Sequence, residues 1–276
     1  MSAVAEAVGM SRPHLSAMRR PCEQRRRGRP PLPDTELVAD IRRLIADLPT
    51  YGYRRVHALL RREAEESERA APNPKRVYRV SFTVCCSNDI AAAAKSGDTT
   101  GRSPSRSVTP VGLEIGCDNG EKVRVAFALD CCDREAMGYV ATTGGITAED
   151  VRDLMVATVE HRFGQVNKLP HAIEWLTDNG SCYTAHDTRR FARDIGLTPR
   201  TTPVESPQSN GMAEAFVRTL KRDYARVSPR PNAQTVIDQL PSWLDHYNRV
   251  HPHRALGYQS PREFIDRSTR EDLSGL

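Results

Sequence analysis

No apolar run in this 276-residue chain approaches the roughly 18 residues that a membrane-crossing helix requires. Its N-terminus has no basic start followed by an apolar stretch and a small-residue cleavage site, so no secretory signal is read there. The simplest expected location is the cytoplasm. The seven cysteines include two adjacent pairs, Cys85–Cys86 and Cys131–Cys132, but no CxxC. That argues against a zinc knuckle or a disulfide framework and fits a reducing compartment. There is no HExxH either, so His246, His251 and His253 are read as packing or surface histidines rather than metal ligands.

What is present describes a soluble globular protein, with 38% hydrophobic and 27% charged residues. The length suits one good core plus a smaller module. The net charge of +5 is unevenly spread, and RRPCEQRRRGR (19–29) carries six arginines and one acid. Such a block fits a polyanion partner or a solvated linker. Residues 2–20 read as helix, turn, helix, a truncated helix-turn-helix whose second helix would suit a major groove; an ordinary helical hairpin has the same pattern. Pro30, Pro31 and Pro33 make 25–34 a linker, in which Arg27-Gly28-Arg29-Pro30 has the shape of a minor-groove arm. Residues 35–80 carry helical stripes: Leu37, Ile41, Leu44, Ile45 and Leu48 in the first, then Val56, Leu59 and Leu60 ringed by Arg54, Arg55, Arg61 and Arg62. An arginine-rich surface on short helices is expected to bind DNA.

The pattern then fails. In SFTVCCSNDIAAAAKSGDTTGRSPSRSVTPVG (81–112) ten residues are Ser or Thr, four are consecutive alanines, and no apolar period survives. From 113 an α/β pattern begins. Strands are expected at 123–130 and 138–144, a helix after the N-cap Thr147, a strand ending in Thr177-Asp178-Asn179-Gly180, a helix stopped by Gly196, a short strand, and a long helix from Asn210. With one strand more near 113–117, the order is that of a ribonuclease-H-like fold. The expected fold class is therefore α/β, a ribonuclease-H-like, integrase-type catalytic domain preceded by a small all-α helix-turn-helix-type module.

Two carboxylates stand out. Asp178 falls at a strand end, where ligands bind in open α/β sheets. Glu214 falls early in the last long helix, and Lys221 follows it by two turns on the same face. Singly, Asp-Asn-Gly is good turn chemistry and Glu214 is an ordinary surface glutamate. Together they suit phosphodiester chemistry: hard oxygen ligands hold divalent metal ions beside an in-line attack on phosphorus, and a lysine holds a phosphate.

Five separated motifs occur in order: LPTYGYRRVHALLRRE, CDNGEKVRVAFALDCCDREA, EWLTDNGSCY, SPQSNGMAEAFVRTLKRDY and HYNRVHPHRALGYQSPREF. They resemble the second-reading-frame product of insertion-sequence-3 family transposases, with the nearest likeness to the insertion-sequence-2 branch, over roughly 35–80 and 113–267. The resemblance implies an integrase-like domain with a DDE carboxylate triad and Mg²⁺ or Mn²⁺. Asp178 matches its second aspartate, Glu214 its glutamate, and Lys221 the basic residue after it. It implies DNA partners, namely inverted-repeat ends and target DNA, contacted by Lys221; Arg54 and Arg55 of the arginine-rich helices and Arg27 and Arg29 of the basic linker are the further DNA contacts expected from the basic patches. It further implies a homo-oligomer on DNA, and leaves open an upstream-reading-frame product that completes end recognition. No membrane partner is expected. The domains on this reading are 1–34, a truncated helix-turn-helix and basic linker; 35–80, a helical DNA-binding module; 81–112, irregular; 113–267, the catalytic domain; and 268–276, a tail.

One stretch departs from the family pattern. The first aspartate should stand just before Gly112, and Val108-Thr109-Pro110-Val111 stands there instead. Asp118 lies in a hairpin-turn sequence, Asp118-Asn119-Gly120, and Glu114 alternates to the opposite strand face, so neither substitutes. Shifting the frame of codons for 82–111 by two nucleotides can give a leucine run and a Ser-Asn-x-Arg-Trp run. An out-of-frame translation is therefore the favoured origin of this segment, with a natural Ser-rich linker as the alternative. The expected protein is a transposase impaired by the missing aspartate; the competing readings are an inactive DNA-binding protein at transposon ends and a ribonuclease H.

Overall fold

The computed structural model describes residues 33–86, 107–165, 169, 171–177, 182, 185–201 and 207–274. The sequence features at 2–29, with Arg27 and Arg29, and the strand-end residue Asp178 lie outside the described residues. The chain divides into two units, Met1–Thr35 and Glu36–Leu276. The described sheet and, but for Thr35, the described helices belong to the second.

Three helices open this unit: α1 (Thr35–Asp47), α2 (Tyr53–Glu66) and α3 (Pro74–Cys86). Their apolar stripes meet as the spacing requires. Leu37, Ile41 and Leu44 of α1 close on Val56, Leu59 and Leu60 of α2 and on Val77 and Val80 of α3. Pro49 ends the α1 stripe, and Pro74 opens α3 at a position where a missing N–H costs nothing.

The sheet comprises β1 (Ser107–Gly116), β2 (Lys122–Asp130), β3 (Ala136–Thr142), β4 (Ile173–Thr177) and β5 (Leu197–Thr201), in the spatial order β3-β2-β1-β4-β5. β1 runs antiparallel to β2 and parallel to β4, so it is the central strand. The helices α4 (Ala148–Phe163), α5 (His186–Asp194), α6 (Pro207–Leu220), α7 (Ala233–Arg249) and α8 (Pro261–Ser274) complete the unit. β2 is buried on both faces. Val123, Val125, Phe127 and Leu129 join Val111, Leu113 and Ile115 under Phe216, Leu220 and Trp243, while Ala126 and Ala128 join Leu154, Met155 and Trp175 on the other side. A strand covered on both faces reads as a continuous apolar run, as VRVAFALD does.

Both ends of the segment expected to be irregular, 81–112, are regular. α3 continues to Cys86 and β1 already begins at Ser107. Its residues Val108 and Val111 are buried, so tertiary pairing overrides a Ser- and Pro-containing local sequence. The β1–β4 ladder pairs Ser107 with Glu174 and Val108 with Trp175, and goes no further. Pro110 has no amide N–H with which to extend it. The tail expected from 268 is likewise helical, since α8 runs to Ser274.

Local signals elsewhere act as read. The Thr147 side chain accepts from Asp150 N at 3.2 Å while Asp150 Oδ2 accepts from Thr147 N at 2.7 Å, a reciprocal cap on α4. After α5, Gly196 adopts φ +90°, and a Cβ there would stand 3.3 Å from Leu169 Cδ1. Gly196→Ala should therefore lower stability by about 1–2 kcal/mol from the left-handed backbone alone, read as a fall in the chemical-denaturation midpoint.

Candidate active site

β1 and β4 lie side by side in the sheet, where the candidate site was expected. Counted on from the Val108–Trp175 pair, the β1 residue level with Thr177, the last of β4, is Pro110, and Val111 comes next. Val111 is buried, with its side chain on the face that carries α6. Thr177 is buried as well, and Asp178 comes after it in sequence.

α6 brings the second carboxylate. Met212, Ala213, Phe216, Val217 and Leu220 turn toward the core, which leaves Glu214, Arg218 and Lys221 on one exposed stripe at i, i+4 and i+7. Helical order widens after Leu220: Arg226 N reaches back five residues to Lys221 O at 3.0 Å. Lys221 nevertheless stays on the Glu214 side, as the spacing anticipated. Its charge reaches β1, where it acts on Glu114. Glu114 itself is held below the usual carboxylate range, first by a hydrogen bond from Lys122 and then by the charges of Lys122, Arg124 and Lys221. Lys122 Nζ lies 2.8 Å and Arg124 Nε 3.2 Å from its oxygens. Glu114 alternates with buried Leu113 and Ile115, and Asp118 sits in the β1–β2 turn before Gly120 at φ +88°. Neither replaces an acid on β1, as the sequence indicated.

Other acids converge at a different place. Arg162 Nη2 lies 2.9 Å from Asp130, 2.7 Å from Asp133 and 3.4 Å from Glu135, and Arg262 reaches Glu135 at 2.6 Å. Burial works against the Glu135 charge, but the His161 hydrogen bond and the two arginines outweigh it and hold its carboxyl below the usual range. Guanidinium groups take the lone pairs that a metal would need, so this is a locked β2–β3 turn. Among the described residues no group of three or more His, Cys, Asp or Glu is arranged to hold a metal ion.

The two flanking motifs, YGYRR and HYNRVHPHR, meet in a contact that their residue types did not announce. The Tyr51 hydroxyl hydrogen-bonds His251 Nδ1 at 2.7 Å, and Arg55 Nη1 donates to Asp223 Oδ2 at 2.9 Å. Arg222 reaches the same carboxylate at 2.6 Å, and Arg62 donates to Val250 O and Tyr258 O while pairing with Glu263 at 2.6 Å. Arg55, expected at DNA with Arg54, is thus turned inward by a carboxylate whose side chain is 1% exposed. Arg54 stays exposed, its guanidinium over the Tyr53 ring at 5.6 Å. Asp223, missed in the sequence, had one local signal: it stands three residues after Leu220, at helical spacing from the end of the buried stripe of α6. The histidines pack, as read. Burial lowers all three, with nearby arginines adding to the effect at His251 and His253, and His253 falls to about 3.

A five-stranded mixed sheet with a parallel β1–β4 pair and an acid-bearing helix against its centre defines an integrase-type core, and two integrase core domain families match at residues 102–207 and 195–261. The chain is 48% identical over 248 residues to the transposase InsD of insertion element IS2A/D/F/H/I/K from Escherichia coli, spanning 87% of this chain and 82% of that protein. The InsD transposase of element IS2-9 from E. coli K12 matches at the same identity, with 80% of its length covered. Among solved structures, the catalytic core of BIV integrase is 21% identical, covering 61% of this chain and 99% of that one, with a TM-score of 0.43. The chain belongs to the IS2-type transposases of the insertion-sequence-3 family. Among the described residues no helix is long and apolar enough to cross a membrane.

The inward contacts have two measurable outcomes. Arg55→Ala should cost about 2 kcal/mol, the upper part of the buried-pair range being offset by Arg222, whereas Arg54→Ala should change stability by less than about 0.5 kcal/mol; thermal melts of both variants check this. His246, His251 and His253 have folded pKa values below the ordinary 6.5. Between the folded and unfolded values the unfolded chain binds more protons, so stability is full above about pH 6.5 and falls as pH drops below it. The fall should begin well above the carboxylate range and flatten in His253→Asn, measured as urea midpoints from pH 7 to 5.

Proposed function

We propose that this transposase binds insertion-sequence ends and target DNA but carries a phosphoryl-transfer centre short of one carboxylate. Asp178 and Glu214 are the catalytic and metal-holding residues of this reading, Lys221 with Arg218 places a backbone phosphate beside them, and Arg54, Arg27 and Arg29 add DNA contacts. The observation that carries it is Val111, a buried valine on the α6 face of β1, one residue past the level where β4 ends.

The donor set accounts for the deficit. Mg²⁺ or Mn²⁺ would bring activation of the attacking oxygen and stabilisation of the leaving one. Glu214 and Asp178 offer hard oxygens suited to either ion, but the β1 position offers only methyl groups. The residues therefore fit the metal site incompletely. What the chain retains is positioning: cations at i+4 and i+7 from Glu214 neutralise phosphate charge, and the sheet centre excludes water beneath them. The integrase core assignment and the relation to InsD support metal use and action on DNA. Assembly of copies on DNA, and a partner product from an upstream frame, extend the same reading.

The origin proposed for 82–111, translation out of frame, accounts for a Ser- and Ala-rich run between two parts of the chain that keep the family motifs. The nucleotide sequence decides it: a shifted frame should encode a leucine run and an Arg-Trp-Cys-Ser-Asp run. The functional claim has its own experiment. With duplex DNA bearing the element's ends and Mg²⁺ or Mn²⁺, Val111→Asp should raise strand cleavage and joining at least about 100-fold, roughly the scale of one metal-ligand loss. Val111→Asn, which burdens the core similarly without a carboxylate, should stay at the parent level. Cleavage by the parent as fast as by Val111→Asp overturns the proposal.

A further inference from the structure

α3 presents an exposed face that carries two large aromatic side chains. Val77 and Val80 point into the helical core, which leaves Lys75, Tyr78, Arg79 and Phe82 along the opposite side. Tyr78 is 54% and Phe82 65% exposed, the only exposed aromatic side chains of their size among the described residues. Neither belongs to the Glu214 site.

The two rings stand at i and i+4, about 6 Å apart at their Cβ atoms. Tyr53, at the start of α2, meets Tyr78 edge to face with centroids 4.8 Å apart, and Arg54 stacks on Tyr53. The surface thus joins three aromatic rings to the cations Arg54 and Lys75, with Arg79 alongside. α3 (PKRVYRVSFTVCC) contains no acid.

We propose that this face is a stacking platform for unpaired nucleic-acid bases, with the flanking cations following the backbone. The chemistry selects among occupants. A duplex keeps its bases stacked on one another and offers phosphates alone, for which two exposed aromatics bring nothing. An unpaired strand offers both π-faces and phosphates, and this surface supplies rings and positive charge in alternation. A second protein copy would be matched by an apolar patch, yet the acid-free, cation-flanked composition favours a polyanion. The inference rests on the DNA-binding reading and adds a substrate form to it: strand ends or flanks melted from the duplex.

The test compares fluorescence anisotropy of a labelled oligothymidylate with that of a mixed-sequence duplex of equal length, using the full chain. Tyr78→Ala and Phe82→Ala should each weaken single-strand binding at least about fivefold and leave duplex binding within twofold, while Tyr78→Phe keeps parent affinity. Both positions are exposed, so circular dichroism should be unchanged. Equal losses on both ligands, or none on either, overturn the proposal while leaving duplex binding by the parent intact. Loss of self-association in sedimentation at unchanged single-strand affinity also overturns it and assigns the face to a second copy. A parent that binds neither DNA overturns this inference together with the DNA-binding reading.

Discussion

The pairing of Val108 with Trp175 governs the rest of the catalytic unit. A strand side chain alternates with period two, so one residue of slip would exchange the two faces of β1. In the observed register Val111, Leu113 and Ile115 all enter the core under α6 and α7, and Val108 enters the opposite core. From Ser107 to Val111 both faces are buried, so both hold the register there. The same register decides which β1 residue stands beside the end of β4, and thus whether a carboxylate is available there. An apolar residue at that position satisfies the core, and on the proposed reading it withholds a metal ligand.

A second constraint joins the helical arm to the catalytic sheet within one unit. Asp223 lies in the widened turn directly after α6, and Arg55 from α2 and Arg222 both close on it. The carboxylate is almost wholly buried, so losing one partner leaves a charge whose desolvation is no longer offset. Tyr51 and His251 continue the contact, with Tyr247 stacked on His251 at 5.6 Å between ring centroids. The position of Glu214 and Lys221 along α6 therefore depends on residues more than 150 positions earlier in the chain.

Sequence periodicity exposed the elements whose faces differ. The α1 and α2 stripes, the Thr147 cap, the Gly196 stop and the buried run of β2 arise from local chemistry, and they appear in the structure. The exposed stripe of Glu214 and Lys221 was legible because seven residues make two helical turns. The first half of β1 was not legible: Ser107-Val108-Thr109-Pro110 has no strand pattern, and only pairing with β2 and β4 organises it. The pairing of Arg55 with Asp223 was not legible for a related reason. An arginine in a basic helix looks solvent-facing until a distant carboxylate is folded against it, and no spacing rule links position 55 to 223.

The central claim of the proposal is that β1 offers no carboxylate at Val111, which would leave Asp178 and Glu214 as the donors. The most direct measurement is the number of Mn²⁺ ions held per chain, by electron paramagnetic resonance of the complex with end-sequence duplex. The account predicts at most one weakly held ion, lost in Glu214→Gln. Two tightly held ions per chain would contradict it.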